Sequence, residues 1–475
     1  MSRHLSKLLI ATLLLCHYPA VAQTTHTTLP APVKQTLARH KAPAGGVSIF
    51  VQEVGASEPL LVYRPDRPRL TASAIKVLTT FIALDQLGPA YEWKTEAYLR
   101  GELRDGRLRG DLIIKGYGDP FFVTEYIWKF LHDLRARGLK YIDGDLVVDN
   151  THFDIEAAPA HYSKPERAYN ALPDALLANF QTIRFQFLPE LASGRVRVVA
   201  DPAPANLKID NRLKLSNGRC AGQYRRLKML LSNGADTTKV TFTGNYPRSC
   251  GEKALYRIVL GPQAQTFGLL RTLWEQGGGT INGGVRAGKA PATAPFYTFK
   301  SRPLADLIRA MNKFSNNVMT RQLLLTLGAE AYGPPGTEQK GRDAIFSWLR
   351  QRGLQFGELT LDNGAGLSRT TRVSARSLAR FMSLAHESPL MPHLLASLPL
   401  SGNDGTLRRR FVNEELTGRI YLKTGTLNNV KTITGYLLSR SGKKFVVVCL
   451  QNYPGSHKGV GEAVQDALLR WVFEQ

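Results

Sequence analysis

The chain has 475 residues, enough for two or three domains with a large core, and 43% of them are hydrophobic. The composition is ordinary and holds no low-complexity tract, which excludes a disordered or fibrous protein. With 62 Lys and Arg residues against 38 Asp and Glu residues, the formal net charge is +24, and this balance predicts a polyanionic neighbour.

Residues 1–22 are predicted to be a secretory signal peptide. Basic residues precede an apolar core from Leu8 to Cys16, and Ala20-Val-Ala22 offers a cleavage site of small residues before Gln23. No later stretch approaches the ~20 apolar residues of a membrane-spanning helix, so we expect a soluble mature chain in the periplasm. Removing residues 1–22 takes away two basic residues and no acidic one, so the formal net charge falls only to +22.

The positive charge has two interpretations in an exported chain. Because such a chain meets little nucleic acid, no nucleic-acid partner is expected. A carboxylate-bearing cell-wall polymer or an anionic membrane surface fits the compartment better, through a loose association. The alternative is that the charge serves only solubility.

The segment from residue 23 to residue 92 predicts one helix, two strands and a second helix. Pro32–His40 has a helical period, and Gly46–Val54 and Leu60–Tyr63 have strand patterns on either side of a turn. The second helix follows Thr71, which we predict as its N-cap, and it is apolar on nearly every side. A helix with so little polar surface belongs in the middle of a domain.

Residues 93–289 are predicted to form an inserted β-rich region, one domain with another nested in it. Short strand patterns alternate there with Gly, Asn and Pro, and they are Ala97–Leu99, Asp111–Lys115, Asp145–Val148, Val196–Ala200, Lys239–Thr243 and Leu255–Leu260. One amphipathic helix is expected around Thr124–Arg137. Cys220 and Cys250 lie in a polar, turn-rich part, and export permits the disulfide that we predict between them.

Helices return after residue 290, and three strands follow them. The helices are expected at Pro303–Lys313, Asn316–Leu327, Thr337–Gln351 and Ser374–His386, and the strands at Arg419–Thr424, Thr432–Ser439 and Lys444–Gln451. A C-terminal helix closes the chain. Two strands at the start and three at the end would complete one antiparallel sheet with helices against it. The pattern therefore predicts an α+β fold whose main domain is discontinuous, residues 23–92 and 290–475.

The sequence contains two Ser-x-x-Lys pairs, Ser73 with Lys76 and Ser441 with Lys444. A spacing of three is just under one helical turn, so Ser73 and Lys76 lie on the same face of their buried helix. A hydroxyl beside an amine, where water is scarce, can act as a nucleophile with its own base. The second pair lies in a hairpin turn between two strands, and we interpret it as a chance occurrence.

Three motifs follow one another along the chain: Ser73-Ala-Ile-Lys76, Ser315-Asn-Asn317 and Lys423-Thr-Gly425. In this order they resemble the signature of the serine acyl-transferases that include penicillin-binding proteins and β-lactamases. The long insertion between the first two motifs is similar to that of the D-alanyl-D-alanine carboxypeptidase/endopeptidase family, the low-molecular-mass class C or penicillin-binding protein 4 type. Other stretches similar to that family are Gly110–Pro120, Gly144–Val147, Asp362–Arg369 and Leu398–Arg408, with departures at Tyr117 and Ala365.

The resemblance implies a β-lactamase/transpeptidase-like catalytic domain and a site for its chemistry. Ser73 would attack the substrate, Lys76 would accept its proton, and Ser315 would relay that proton to the leaving amine. Substrate-binding roles are implied for Asn317, Lys423, Thr424, Gly425 and Thr426. No cofactor is implied, and because the ten histidines show no metal-ligand spacing, no metal is expected.

The implied function is that of a serine D-Ala-D-Ala carboxypeptidase and endopeptidase. It would hydrolyse peptidoglycan stem-peptide ends or cross-links through an acyl-enzyme, with β-lactam antibiotics as inhibitors. Two alternatives remain open. One is a serine β-lactamase or esterase with the same motifs, which needs fast deacylation, and the other is a non-catalytic wall-binding protein that retains the motifs.

Overall fold

A computed structural model describes residues 25–155, 164–234 and 237–475 of the chain. The predicted signal peptide, residues 1–22, lies outside the described residues. Within those three ranges no helix combines the length and the apolar character that crossing a membrane requires.

The described residues contain ten α-helices, numbered α1 to α10 in chain order. They are Ala31–Arg39, Lys76–Leu87, Thr124–Ala136, Pro262–Gln276, Leu304–Lys313, Asn317–Tyr332, Glu338–Gln351, Ala375–Glu387, Met391–Ser397 and Gly461–Phe473. Helix α4 lies in the region expected to hold one helix only. Its interior contains Gly268, a residue of low helix propensity, because a Cβ there would lie 2.0 Å from Oδ1 of Asn206.

The described residues also contain twenty strands, numbered β1 to β20 in chain order. They are Val47–Glu53, Leu61–Tyr63, Arg69–Leu70, Lys94–Arg104, Arg107–Gly116, Tyr141–Ile142, Leu146–Asp149, Ile183–Glu190, Arg195–Asp201, Leu207–Ser216, Lys228–Asn233, Thr238–Pro247, Lys253–Arg257, Thr280–Ile281, Val285–Ala287, Tyr297–Lys300, Arg372–Val373, Ile420–Leu427, Val430–Leu438 and Lys444–Asn452.

The predicted five-stranded antiparallel sheet is confirmed, with the order β18-β19-β20-β1-β2. Its central strand β20 shows why the sheet has helices on both faces. Successive side chains of a strand point to opposite faces, and every residue from Phe445 to Leu450 is buried. Phe445, Val447 and Cys449 pack in a core with α1 and α10, whereas Val446, Val448 and Leu450 pack in a second core with α2 and α5 to α9.

Helix α2 runs through the second core, and every residue from Lys76 to Leu84 is buried. A 3₁₀ turn, Ala72–Ile75, leads into the helix and carries Ser73. The prediction that Thr71 caps this helix is wrong, because the 3₁₀ turn separates the two and the Thr71 Oγ1 makes no cap hydrogen bond. The predicted caps Thr337 and Ser374 are confirmed, since each accepts a hydrogen bond from the backbone three residues on.

The chain between β3 and α5 forms three further sheets. One has seven strands, with the path β14-β6-β5-β4-β16 and with β7 and β15 beside it, and the other two are β13-β8-β9 and β10-β12-β11. A disulfide joins Cys220 to Cys250 in this region. Strand β16, Tyr297–Lys300, pairs with β4 and so belongs to the seven-stranded sheet. The predicted boundary at residue 290 therefore falls within that sheet. The prediction missed this strand because its long-range pairing is not visible in the local sequence. The division into domains otherwise stays a prediction.

Candidate active site

Lys76 lies at the start of α2 with no exposed surface, and its amine is the centre of the site. Its Nζ donates hydrogen bonds to Oγ of Ser73 at 3.1 Å and to Oδ1 of Asn317 at 2.8 Å, and it also contacts the carbonyl oxygen of Ala365. Burial, and then the charge of Lys423, hold the pKa of Lys76 well below its usual value. A neutral amine beside a serine hydroxyl can accept its proton.

Ser315 and Asn317 lie where α5 passes into α6. Ser315 has a φ of +57°, a left-handed conformation that is uncommon in residues other than glycine. Asn316 caps α6 by accepting a hydrogen bond from the backbone N–H of Met319, and Asn317 is the first residue of that helix. Nδ2 of Asn317 donates to the carbonyl of Tyr169 at 3.0 Å. The insertion thus contacts the site directly.

Lys423 lies on β18 and is also without exposed surface. Its Nζ donates to Oγ of Ser315 and to the carbonyl of Thr424, both at 2.8 Å. Burial lowers the pKa of Lys423 to about 7. The Thr424 hydroxyl lies 2.7 Å from that of Thr406, whereas Thr426 is exposed at the same edge. The site therefore holds two hydrogen-bonded Lys–Ser pairs, Lys76 with Ser73 and Lys423 with Ser315.

Gly425 lets β18 lie directly against the nucleophile candidate. A Cβ at this position would lie 2.2 Å from Oγ1 of Thr432, 2.7 Å from the carbonyl oxygen of Thr71 and 2.9 Å from the backbone nitrogen of Ser73. Any side chain would force the strand and the Ser73 turn apart. The glycine of the Lys-Thr-Gly motif thus has a steric reason, which is the close approach of two backbones.

The structure brings all eight predicted site residues to one place, from three separate parts of the chain. Sequence reasoning missed two participants that act through backbone carbonyls, Ala365 and Tyr169. For Ala365 a signal existed, because Gly364 and Gly366 flank it at φ of +66° and +76° and mark a tight loop. For Tyr169 we find no local signal.

The other Ser-x-x-Lys pair lies elsewhere. Ser441 is exposed in the turn between β19 and β20, and its hydroxyl donates to the carbonyl of the C-terminal Gln475. Lys444 has its Nζ 3.3 Å from Nε2 of His386. In the three described ranges no group of three or more His, Cys, Asp or Glu residues could hold a metal ion.

The chain is similar to proteins of known family. A family model described as the D-Ala-D-Ala carboxypeptidase 3 (S13) family matches residues 30–475. The D-alanyl-D-alanine carboxypeptidase DacB of Haemophilus influenzae is 24% identical over 414 residues, which cover 86% of this chain and 86% of that protein. A D-alanyl-D-alanine carboxypeptidase of an Actinomadura species is 28% identical over 447 residues, covering 89% of this chain and 80% of that one.

Solved structures share the fold. The crystal structure of penicillin binding protein 4 from Haemophilus influenzae matches with a TM-score of 0.78 and 21% identity, over 93% of this chain and 99% of that one. A predatory endopeptidase of Bdellovibrio bacteriovorus matches with a TM-score of 0.52 and 16% identity, over 90% and 92% of the two chains. These matches confirm the predicted transpeptidase-like α+β fold. Because the family model covers nearly the whole described chain, the protein belongs to the D-Ala-D-Ala carboxypeptidase 3 (S13) family and is a serine D-Ala-D-Ala carboxypeptidase.

Proposed function

We propose that this carboxypeptidase acts through an acyl-enzyme on Ser73. The Ser73 oxygen forms a bond to the carbonyl carbon of the penultimate D-alanine. The bond from that carbon to the nitrogen of the terminal D-alanine then breaks. Lys76, in its neutral form, takes the hydroxyl proton, and Ser315 relays a proton to the departing amine. Water then hydrolyses the ester. The observation that carries this proposal is the contact of the buried Lys76 amine with the Ser73 hydroxyl at 3.1 Å.

Substrate would be held by the edge of β18. The backbone N–H groups of Ser73 and Thr426 would stabilise the oxyanion, and the approach of Gly425 to the Ser73 nitrogen supports this pairing. The hydroxyls of Thr424 and Thr426, with the charge of Lys423, would bind the terminal carboxylate of the substrate. Asn317 would hold the substrate amide while it orients Lys76.

The natural substrate would be peptidoglycan, either the D-Ala-D-Ala ends of its stem peptides or its cross-links. The names of the two curated relatives support the first activity, and the endopeptidase of similar fold is compatible with the second. β-Lactams would acylate Ser73, a proposal supported by a β-lactam complex of the Haemophilus influenzae protein. The signal-like N-terminus supports a periplasmic location, and the net charge of +24 supports loose association with anionic wall or membrane surface.

Labelling with a fluorescent penicillin tests the acyl-enzyme. We expect a stable adduct in the wild type, its loss in Ser73→Ala, and its retention in Ser441→Ala, the matched serine of the second pair. Rapid turnover of the drug would favour a β-lactamase, and no adduct would favour a wall-binding protein. Digestion of cross-linked wall fragments followed by mass analysis separates the carboxypeptidase from the endopeptidase activity.

A further inference from the structure

A cavity of about 730 Å³ opens within the insertion. Three arginines line it, Arg167, Arg225 and Arg257, together with one acidic residue, Glu166. Apolar side chains of β11 and of Leu227 before it also line the cavity. The cavity is therefore roomy and positively charged, with apolar side chains among its arginines, which is the lining of a site for an organic anion.

Arg257 is the buried charge of this cavity, with only 8% of its surface exposed. Its Nη1 donates to the carbonyl of Tyr256, and among the described residues no carboxylate lies within ion-pair distance of its guanidinium. Arg167 lies directly beside it, because the two residues form an antiparallel bridge. Burial, and then the charge of Arg167, lower the pKa of Arg257. A buried arginine beside a second positive charge is costly unless an anion joins the two.

Arg167 is the more accessible member of the pair. Its side chain is 33% exposed, and its Nε is buried without a hydrogen-bond partner in the described part of the chain. Glu166 lies 3.7 Å from that Nε, too far for a good hydrogen bond. Among the described residues, the single carboxylate at this cavity therefore makes no hydrogen bond to either guanidinium.

The arginine pair is tied to the active site by two contacts. Tyr169, two residues after Arg167, accepts the hydrogen bond from Asn317, and Ile258, next to Arg257, packs in one cluster with Val318 of α6. Two residues of chain span at most ~7 Å, and three hydrogen bonds lead from the Tyr169 carbonyl through Asn317 and Lys76 to the Ser73 hydroxyl. Three extended residues of a substrate span ~10 Å, and the side chain of the third residue together with the long side chain of Arg167 would cover the rest of the distance to the cavity.

We infer that Arg167 and Arg257 form a subsite for a carboxylate on the substrate peptide, carried by about the third residue before the scissile bond. This inference rests on the proposed acyl-enzyme site at Ser73. Guanidinium groups bind carboxylates through paired, charge-assisted hydrogen bonds, and the burial of Arg257 strengthens such bonds. The insertion thus selects acidic wall peptides, while the main sheet performs the chemistry.

Two synthetic peptides test the subsite, acetyl-Glu-Lys-D-Ala-D-Ala and acetyl-Gln-Lys-D-Ala-D-Ala, which differ by one charge. We expect the full-length enzyme to prefer the Glu peptide by about tenfold or more in kcat/KM for D-alanine release. In Arg257→Gln and in Arg167→Gln the ratio falls toward one, and in Arg257→Lys most of the preference remains. The ratio within each variant separates recognition from any general loss of activity.

Arg184→Gln is the matched control. Arg184 pairs across strands with Tyr256, so it lies on the other face of the sheet and lines a different cavity. This variant keeps the wild-type ratio. The inference is overturned if the wild type shows no preference, or if both Arg167→Gln and Arg257→Gln keep it. If the enzyme releases D-alanine from neither peptide, the proposed carboxypeptidase site itself is contradicted. Arg167→Gln keeps the test decisive if the variant at the buried Arg257 does not fold.

Discussion

The two Ser-x-x-Lys pairs of this chain have the same spacing and opposite surroundings. Around Ser73, helix α2 and strand β18 bury Lys76 completely and leave its amine 3.1 Å from the serine hydroxyl. Around Ser441, a hairpin turn leaves the serine exposed, and its hydroxyl donates to the carbonyl of Gln475. Lys444 has its amine beside His386 instead. The motif alone therefore specifies no chemistry.

The difference lies in what burial does to an amine. A lysine in water keeps its proton and cannot act as a base near neutral pH. In the first pair, burial and a second buried lysine disfavour the charged form of Lys76. The fixed contacts to Asn317 and Ala365 also hold the amine in one position, which an exposed lysine does not have. The role of base that we propose for Lys76 therefore depends on the packing around its amine.

The largest effect is expected when the base is removed. Lys76→Met keeps the volume of the side chain and loses its amine, so acylation by fluorescent penicillin should slow by about 10²–10⁴-fold, the usual contribution of a general base. Lys444→Met, the matched change in the second pair, should leave the rate within about twofold. Equal losses in the two variants would remove the distinction between the pairs.

A second comparison uses the glycines beside the two serines. Gly425→Ala places a Cβ against Thr71 and the Ser73 backbone, and a displacement of this size should slow acylation by about 10²-fold. Gly442→Ala, in the turn of the second pair, meets no atom within 4 Å and carries only the strain of a φ of +87°. It should lower stability by about 1 kcal/mol and keep the acylation rate. Rates and melting curves of both variants check this.

A smaller effect is expected from the residue that holds the base. Asn317→Ala removes one hydrogen bond to the Lys76 amine and the contact with Tyr169, so acylation should slow by about tenfold to a hundredfold. Asn316→Ala is the control, because it removes the cap of α6 and no contact of Lys76. It should cost ~1 kcal/mol in the free energy of unfolding and little rate. If Asn317→Ala and Asn316→Ala show equal acylation rates, then the hydrogen bond from the Lys76 amine to Asn317 does not contribute to the rate.

The smallest effect is a shift in pH dependence. The charge of Lys423 lowers the pKa of Lys76, so Lys423→Met should let that pKa rise. Since acylation needs neutral Lys76, the acid limb of the rate profile should move to higher pH. The measurement is the acylation rate between pH 5 and pH 9 in wild type and variant. A limb that stays in place, or that moves to lower pH, would contradict the coupling of the two lysines.

Much of the fold follows from local patterns. The strands β1, β18, β19 and β20 and the helices α5 to α8 lie within a few residues of their predicted places, because period, caps and turns are local properties. Helix α4 and the long-range strand β16 were not visible in the same way. A glycine within the helix lowers its signal, and the pairing of β16 with β4 joins residues about 200 positions apart.

The sequence by itself determined the motif residues, their order and the family resemblance, because side-chain chemistry and spacing are written in the chain. It also indicated which Ser-x-x-Lys pair is buried, because Ser73 and Lys76 lie in an apolar helix pattern and Ser441 lies in a turn pattern. It could not place the carbonyls of Ala365 and Tyr169 at the site, since every residue has a carbonyl and only folding selects one. The tertiary structure removed water from the Lys76 amine of the first pair, and it brought Tyr169 of the insertion, two residues after Arg167, into contact with Asn317.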